Sequence, residues 1–246
     1  MRAMPERRIF VDVPIAPEQS MALPDSAAHH LARVLRVREG ELLALFDGSG
    51  GEYPAVVAAV TRGGVQVQVG ALRVVERESA LQITLVQALQ AADKMDTTIQ
   101  KAVELGVSRI VPVAAERSVL RLSGERAERR QAHWRHVVAA ACEQCGRNRL
   151  PGVETIRTLP EWFGEPSTVP LRLLLSPAGD AGLSALPPAS AVELLVGPEG
   201  GFAEHELASA ALAGYRPLRA GPRVLRTETA GPALIAALQA RWGDFA

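Results

Sequence analysis

The sequence predicts an α/β protein in two parts, a small β-barrel or meander followed by a larger parallel sheet with helices on both faces. Three observations carry this. Beyond about residue 80, apolar runs of strand length alternate with stretches of helical period, the pattern of strands joined by covering helices. The first part has a different texture, with short apolar runs separated by glycine turns at 48–51 and at Gly63-Gly64. A chain of 246 residues, 48% of them apolar, can also bury a sizeable core.

In chain order, a short helical stretch over 27–35 precedes the barrel strands of ELLALFDGSGGEYPAVVAAVTRGGVQVQVGAL. ERES, at 76–79, reads as a linker, and the parts divide as 1–73 and 74–246. A strand over 81–89 comes next. It is followed by a helix over 95–105 that presents Ile99, Ala102, Val103 and Leu105 and stops at Gly106. After a strand over 107–114 comes a long basic helix over 125–145. Further strands fall at 171–175, 191–196 and 217–220, with helices at 204–213 and 232–242. Pro232 is expected to open the last helix, with Thr229 or Gly231 as its cap.

Composition narrows the class. The longest apolar runs fall far short of the ~20 residues a membrane helix needs, and residues 1–10 carry charges in place of a signal-peptide core, so a soluble cytoplasmic protein is expected. Net charge is zero, but residues 117–149 hold eight arginines against three glutamates, and lysine occurs only at Lys94 and Lys101. Arginine suits planar phosphate and base contacts; a coding bias toward arginine explains the same numbers. Cys142 and Cys145 form a CxxC inside the basic helix, without the second pair a structural zinc site needs, and read as two small, partly buried residues one turn apart. His133 and His136 are also one turn apart; lacking a third ligand at suitable spacing, they read as exposed or RNA-facing, and no metal is expected.

Ligands of open α/β sheets bind beyond the carboxyl ends of the strands. Three such ends carry unusual residues: LLLSPAG at 173–179, LLVGPEGG at 194–201 and RAGPRVLRTETAGP at 219–232. Proline fixes φ and glycine allows close backbone approach, so GPEGG makes either a rigid ligand-facing turn or an ordinary helix start. Its spacing matches neither GxGxxG nor a phosphate loop. LRTETA sets an arginine and a glutamate between threonines; capping explains one hydroxyl, and the set suits a planar polar ligand.

These segments, together with KMDTTIQKAVELGVSRIVPV, EQCGRNRLPGV and the N-terminal HHLARVLRVREGELLALFDGSG, resemble the RsmE family of small-subunit ribosomal RNA uridine N3-methyltransferases over nearly the whole chain. The family's EQxGR pattern appears with Cys145 at its variable position. The resemblance implies a PUA-like barrel followed by a SPOUT methyltransferase domain with a C-terminal trefoil knot. It also implies a homodimer, S-adenosylmethionine as donor, and N3 of one uridine in 16S rRNA near the decoding centre as target. Two alternatives stand beside it: a SPOUT enzyme acting on another base or a ribose 2'-hydroxyl, and a non-catalytic RNA-binding assembly factor.

Donor contacts are expected from Leu175 and Ser176, from Val196, Gly197, Pro198, Glu199, Gly200 and Gly201, and from Leu218, Gly221, Val224, Leu225, Arg226, Thr227, Thr229 and Ala230. The imide proton on uracil N3 must leave, so Arg226 is expected to stabilise the resulting anion, and Glu199 or Glu228 to act as base or to orient the site. Pairing of Arg226 with one of those glutamates is the alternative. RNA contacts are expected from Arg8, His30, Arg33 and Arg36 in the barrel; the resemblance implies that Gln144, Arg147 and Asn148, with Glu143, at the end of the basic helix contact RNA or the other subunit's pocket. A solvated helix end is the rival there. Asp93 reads as a helix cap or a substrate contact.

Overall fold

The computed structural model describes residues 7–179 and 182–245. The charged opening at 1–6 lies outside them. The chain divides into two compact units, one formed by residues up to Glu78 with Ala139–Leu150, the other by Ser79–Val138 with the chain from Pro151 onward. Residues 139–150, which a single cut at 73/74 leaves with the second part, pack with the first.

The first unit contains β1 (Arg7–Phe10), β2 (Ser20–Ala22), α1 (Asp25–His29), β3 (Leu42–Phe46), β4 (Tyr53–Thr61) and β5 (Gly64–Val69). Its sheet runs β1-β3-β4-β5-β2, parallel only between β1 and β3. β5 shows why it is a strand with one wet face: Val65, Val67 and Val69 are buried while Gln66 and Gln68 are exposed. The helix expected over 27–35 is α-helical only to His29. A π-helical turn, His30–Leu35, widens it and ends at Arg36, whose φ of 51° is left-handed. Ala27, Ala28 and Leu31 from these turns join the strand core.

The second unit contains β6 (Gln82–Ala88), α2 (Ala92–Glu104), β7 (Arg109–Ala114), the first part of α3 (Gly124–Cys145), β8 (Gly152–Val153), β9 (Arg157–Thr158), α4 (Leu159–Phe163), β10 (Leu171–Leu175), β11 (Ala191–Val196), α5 (Glu204–Leu212), β12 (Arg216–Leu218) and α6 (Thr227–Trp242). Its seven strands are all parallel, ordered β12-β10-β11-β6-β7-β8 with β9 also on β7. β6 and β11 are buried along nearly their whole length, as central strands covered on both faces must be. Pro112 is tolerated inside β7 because the strand pairs with β8 at Arg109 and Ile110 and with β9 at Val113 and Ala114, leaving the proline in the gap.

Two helix starts differ from expectation. α6 begins five residues early, at Thr227, with Arg226 as N-cap, so Pro232 lies inside it and neither Thr229 nor Gly231 caps it. Pro232 cannot donate to the carbonyl of Glu228, a defect tertiary burial outweighs: Gly231, Pro232, Leu234, Ile235 and Leu238 are all buried, and the helix packs on α2, β6 and β11. α2 starts at Ala92 with Ala91 as N-cap, so Asp93 is a first-turn residue favoured by the helix dipole. No described helix is long and apolar enough to cross a membrane.

Candidate active site

Strand order places the site. From β6 the chain moves to β7 and β8 on one side, then returns with β11 beside β6 and with β10 and β12 beyond it, so the order reverses between β6 and β11. Beyond the carboxyl ends there, the loops after β10, β11 and β12 and the first turn of α6 line one cavity of about 570 Å³.

From the loop after β10 come Leu175, Ser176 and Pro177; from the end of β11 and its loop, Val196, Gly197, Pro198, Glu199 and Gly201; from the last segment, Gly221, Val224, Leu225, Arg226, Thr227, Glu228 and Ala230. Three expected donor contacts lie off this wall. Leu218 is fully buried as the end of β12, Thr229 is an exposed helix residue, and Gly200 sits against Arg117, whose Nη1 donates to the Gly200 carbonyl at 3.3 Å. The proline and glycines after β11 close a turn in which Gly201 N–H donates to Pro198 O at 2.9 Å, and the φ of 67° at Gly201 is why glycine stands there. At Gly197 a Cβ would lie 3.2 Å from the Phe202 ring.

A buried polar chain ties the two signature loops together. Thr227 Oγ1 donates to Gly197 O at 2.6 Å and accepts from Gln90 Nε2 at 2.8 Å and Gln87 Nε2 at 3.3 Å; Gln90 Oε1 in turn accepts from Thr98 Oγ1 at 2.9 Å. Gln87, Gln90 and Thr98 are fully buried, so each must find its partner inside the protein. The threonine that begins α6 therefore holds the end of β11.

The charged groups sort themselves unexpectedly. Lys94 Nζ lies 3.1 Å from Glu199 Oε1 and 4.0 Å from Glu228 Oε2. Burial alone would raise the Glu199 carboxyl. Hydrogen bonds from its own backbone, from Lys94 and from the Ala91 backbone outweigh burial and hold it below the usual carboxylate range. Glu228 Oε2 is buried without a hydrogen-bond partner among the described residues. Arg226 is exposed and pairs with neither glutamate: Lys94 takes that place. Lys94, one of only two lysines, was not singled out from sequence, because a lysine in a helix start is an ordinary solvated residue until the sheet brings it to the loop after β11. Arg219 and Arg223, from the segment 218–225 expected to offer only backbone contacts, also line the cavity, as do Phe202 and Leu207, which were not expected.

The expected RNA contacts divide by burial. Arg33 and Arg36 are exposed, and His30 is half-buried. Arg8 instead pairs with Glu52 and bonds to Asn148 Oδ1 and to Arg147 O, while Arg147 pairs with Glu78. Arg147 and Asn148 are buried, and Asn148 Nδ2 donates to Val75 O at 2.9 Å. These three side chains thus make bonds within their own unit. Gln144 is exposed, and Glu143 Oε1 accepts from Phe10 N at 2.8 Å. His133 has a carboxylate neighbour the spacing did not reveal, with Nε2 2.6 Å from Asp96 Oδ2, yet no group of three metal-ligating side chains forms among the described residues. Cys142 is buried and its thiol is pushed up to about 12, chiefly by burial; both cysteines are free.

A doubly covered parallel sheet whose reversal point carries a glycine-bearing cleft defines an α/β domain with a small-molecule site at the strand ends. Residues 77–239 match the RNA methyltransferase domain family, and residues 23–70 match the RNA methyltransferase PUA domain. The relatives include a ribosomal RNA small subunit methyltransferase E from Buchnera aphidicola, 30% identical over 97% of each chain, and one from Mycobacterium bovis, 34% identical over 89% of this chain and 90% of the other. Among solved structures, ribosomal RNA small subunit methyltransferase E from Neisseria gonorrhoeae, bound to S-adenosyl methionine, superposes with a TM-score of 0.91 at 38% identity, covering 98% of this chain and 100% of that one. A Legionella pneumophila protein solved with the cofactor SAM superposes with a TM-score of 0.95 at 36% identity over the same shares. The chain belongs to the ribosomal RNA small subunit methyltransferase E family.

Proposed function

We propose that this protein methylates N3 of one uridine in 16S ribosomal RNA, near the decoding centre, using S-adenosylmethionine, and that it works as a cytoplasmic homodimer without a metal. The observation that carries the reading is the buried Thr227 link, which joins the GPEGG and LRTETA loops around one cavity. The donor fits what lines it. The volume lies within the ~300–1,000 Å³ usual for small-molecule sites, the strand ends Leu175 and Val196 and the loop residue Leu225 supply apolar walls, and Gly197 leaves room where a Cβ would press on Phe202.

S-adenosylmethionine, when bound, supplies an electrophilic methyl group on its sulfonium. The chain's own residues position the base and manage its proton. Arg226, on the cavity wall and without an ion-pair partner among the described residues, stabilises the negative charge that spreads over the carbonyl oxygens of uracil as N3–H leaves. Glu228 is the better acceptor of that proton, since Lys94 and backbone hydrogen bonds hold Glu199 in its charged form as an anchor of the loop after β11. Residues 1–73 serve as the PUA-like RNA-binding domain, with Arg33, Arg36 and His30 toward phosphate, and 74–246 as the SPOUT domain. A trefoil knot at its C-terminal end is supported by close passage of two loops: a Cβ on Gly179 would lie 2.8 Å from both Leu218 C and Arg219 N.

Arg226→Ala is the test. On small subunits lacking the modification, with nucleosides mapped by mass, turnover is expected to fall about 100-fold or more, the usual cost of losing an anion-stabilising donor. Calorimetric affinity for S-adenosylmethionine should stay within about threefold. Equal losses in both measurements, or methyl groups found elsewhere than uridine N3, refute the assignment.

A further inference from the structure

The charge on the cavity wall is not balanced by what the donor brings. Four cations, Lys94, Arg219, Arg223 and Arg226, stand against two carboxylates, Glu199 and Glu228, and both carboxylates face Lys94. The three arginines are exposed and have no ion-pair partner among the described residues, whereas Arg109, Arg157 and Arg172 of the same unit each pair with a glutamate. Arg226 has its part at the uracil oxygens; Arg219 and Arg223 have none.

S-adenosylmethionine carries a sulfonium, an ammonium and a single carboxylate, so it adds a positive charge to a wall already in excess. Like charges lining one cavity add to a single local potential that disfavours a further cation. A polyanion relieves that arrangement, and guanidinium groups match phosphate oxygens two at a time. We propose that Arg219 and Arg223 form a binding site, at the mouth of the donor cavity, for the RNA phosphates that flank the target nucleotide. The site rests on the RNA-methylating function proposed above. The donor's own carboxylate is the other oxyanion these arginines would attract. Under the phosphate assignment, RNA and donor reinforce each other, because the phosphates cancel the repulsion the donor meets alone.

The test is the double variant Arg219→Gln, Arg223→Gln. Small subunits lacking the modification are titrated by filter binding across a potassium chloride series, and S-adenosylmethionine is titrated calorimetrically without RNA. The log–log salt slope is expected to become shallower by about 1.4, at ~0.7 per single-stranded phosphate contact. Donor affinity should be equal to wild type or tighter, and an unchanged thermal midpoint shows that the fold is intact. A slope equal to that of wild type overturns the phosphate site, and a tenfold loss of donor affinity alongside it assigns the arginines to the donor's carboxylate. Wild-type protein that neither binds nor methylates these subunits overturns the proposed function and this site together, whereas intact wild-type methylation with an unchanged slope overturns this site alone.

Discussion

Replacing Thr227 by valine keeps the side chain's shape and removes one hydroxyl. That hydroxyl donates to Gly197 O at 2.6 Å and accepts from Gln90 Nε2 at 2.8 Å, at a residue only 7% exposed. Gln87 Nε2 keeps the carbonyl of Ala88 at 3.2 Å, so fully buried Gln90 Nε2 loses a partner it cannot replace with water, and Gly197 O, half-buried on the cavity wall, loses its hydroxyl donor. At ~1–3 kcal/mol for the buried group left unsatisfied, with ~1 kcal/mol for the lost hydrogen bond to Gly197 O, the substitution is expected to cost about 2–4 kcal/mol. For a chain of this size about 3 kcal/mol lowers the unfolding midpoint by roughly 6–12 °C. Thr227→Ser keeps the hydroxyl and loses one methyl, about 1 kcal/mol. Urea and thermal unfolding followed by circular dichroism separate the two, and S-adenosylmethionine affinity should fall with Thr227→Val because the end of β11 loses its tether. A valine variant as stable as the serine variant, with unchanged donor affinity, refutes the role given to this link.

Gly179→Ala places a methyl 2.8 Å from backbone atoms of Leu218 and Arg219 that cannot rotate away. A loss of about 1–3 kcal/mol in urea is expected, as for other overpacked sites, and an unchanged midpoint counts against the close passage of the two loops. Glu143 gives a pH signature. Burial pushes its carboxyl above the ordinary value of 4.5, against the opposing pull of Phe10 N–H, His30 and Arg8. A carboxyl raised on folding contributes stability that is present below the ordinary carboxylate value and lost as pH rises through the folded value. Glu143→Gln keeps an acceptor for Phe10, so its stability relative to wild type should grow from about pH 4 to pH 7; a difference that is flat across that range rules the burial effect out.

Much of the second unit was legible in the sequence because its strands are buried on both faces. Leu171–Leu175 and Ala191–Val196 read as strand-length apolar runs, each broken by one charge, Arg172 and Glu193, and are strands over those same residues. Local patterning also identified the three strand-end loops, since glycine, proline and flanking threonines restrict the backbone wherever the chain later goes. What it misjudged were places where distant packing outweighs local preference. Pro232 reads as a helix start by its own chemistry and lies within α6 because the surrounding residues are buried against α2, β6 and β11. For Arg8, Arg147 and Asn148, expected at RNA, residue type could not reveal the partners the fold supplies. These three make bonds within their own unit because Glu52 and Glu78 are brought against them from elsewhere in the chain.

The sequence by itself determined the strand and helix classes and the chemistry of the loops, because those follow from period and from backbone restriction over a few residues. Only the tertiary structure decided which charges meet. Lys94 and Glu199 are 105 positions apart, and nothing local joins them. Strand order does so, by setting β6 beside β11, and the Lys94–Glu199 pair leaves Arg226 at the cavity without an ion-pair partner among the described residues. Partnership between charges depends on distance and burial in the folded chain, which no window of sequence contains.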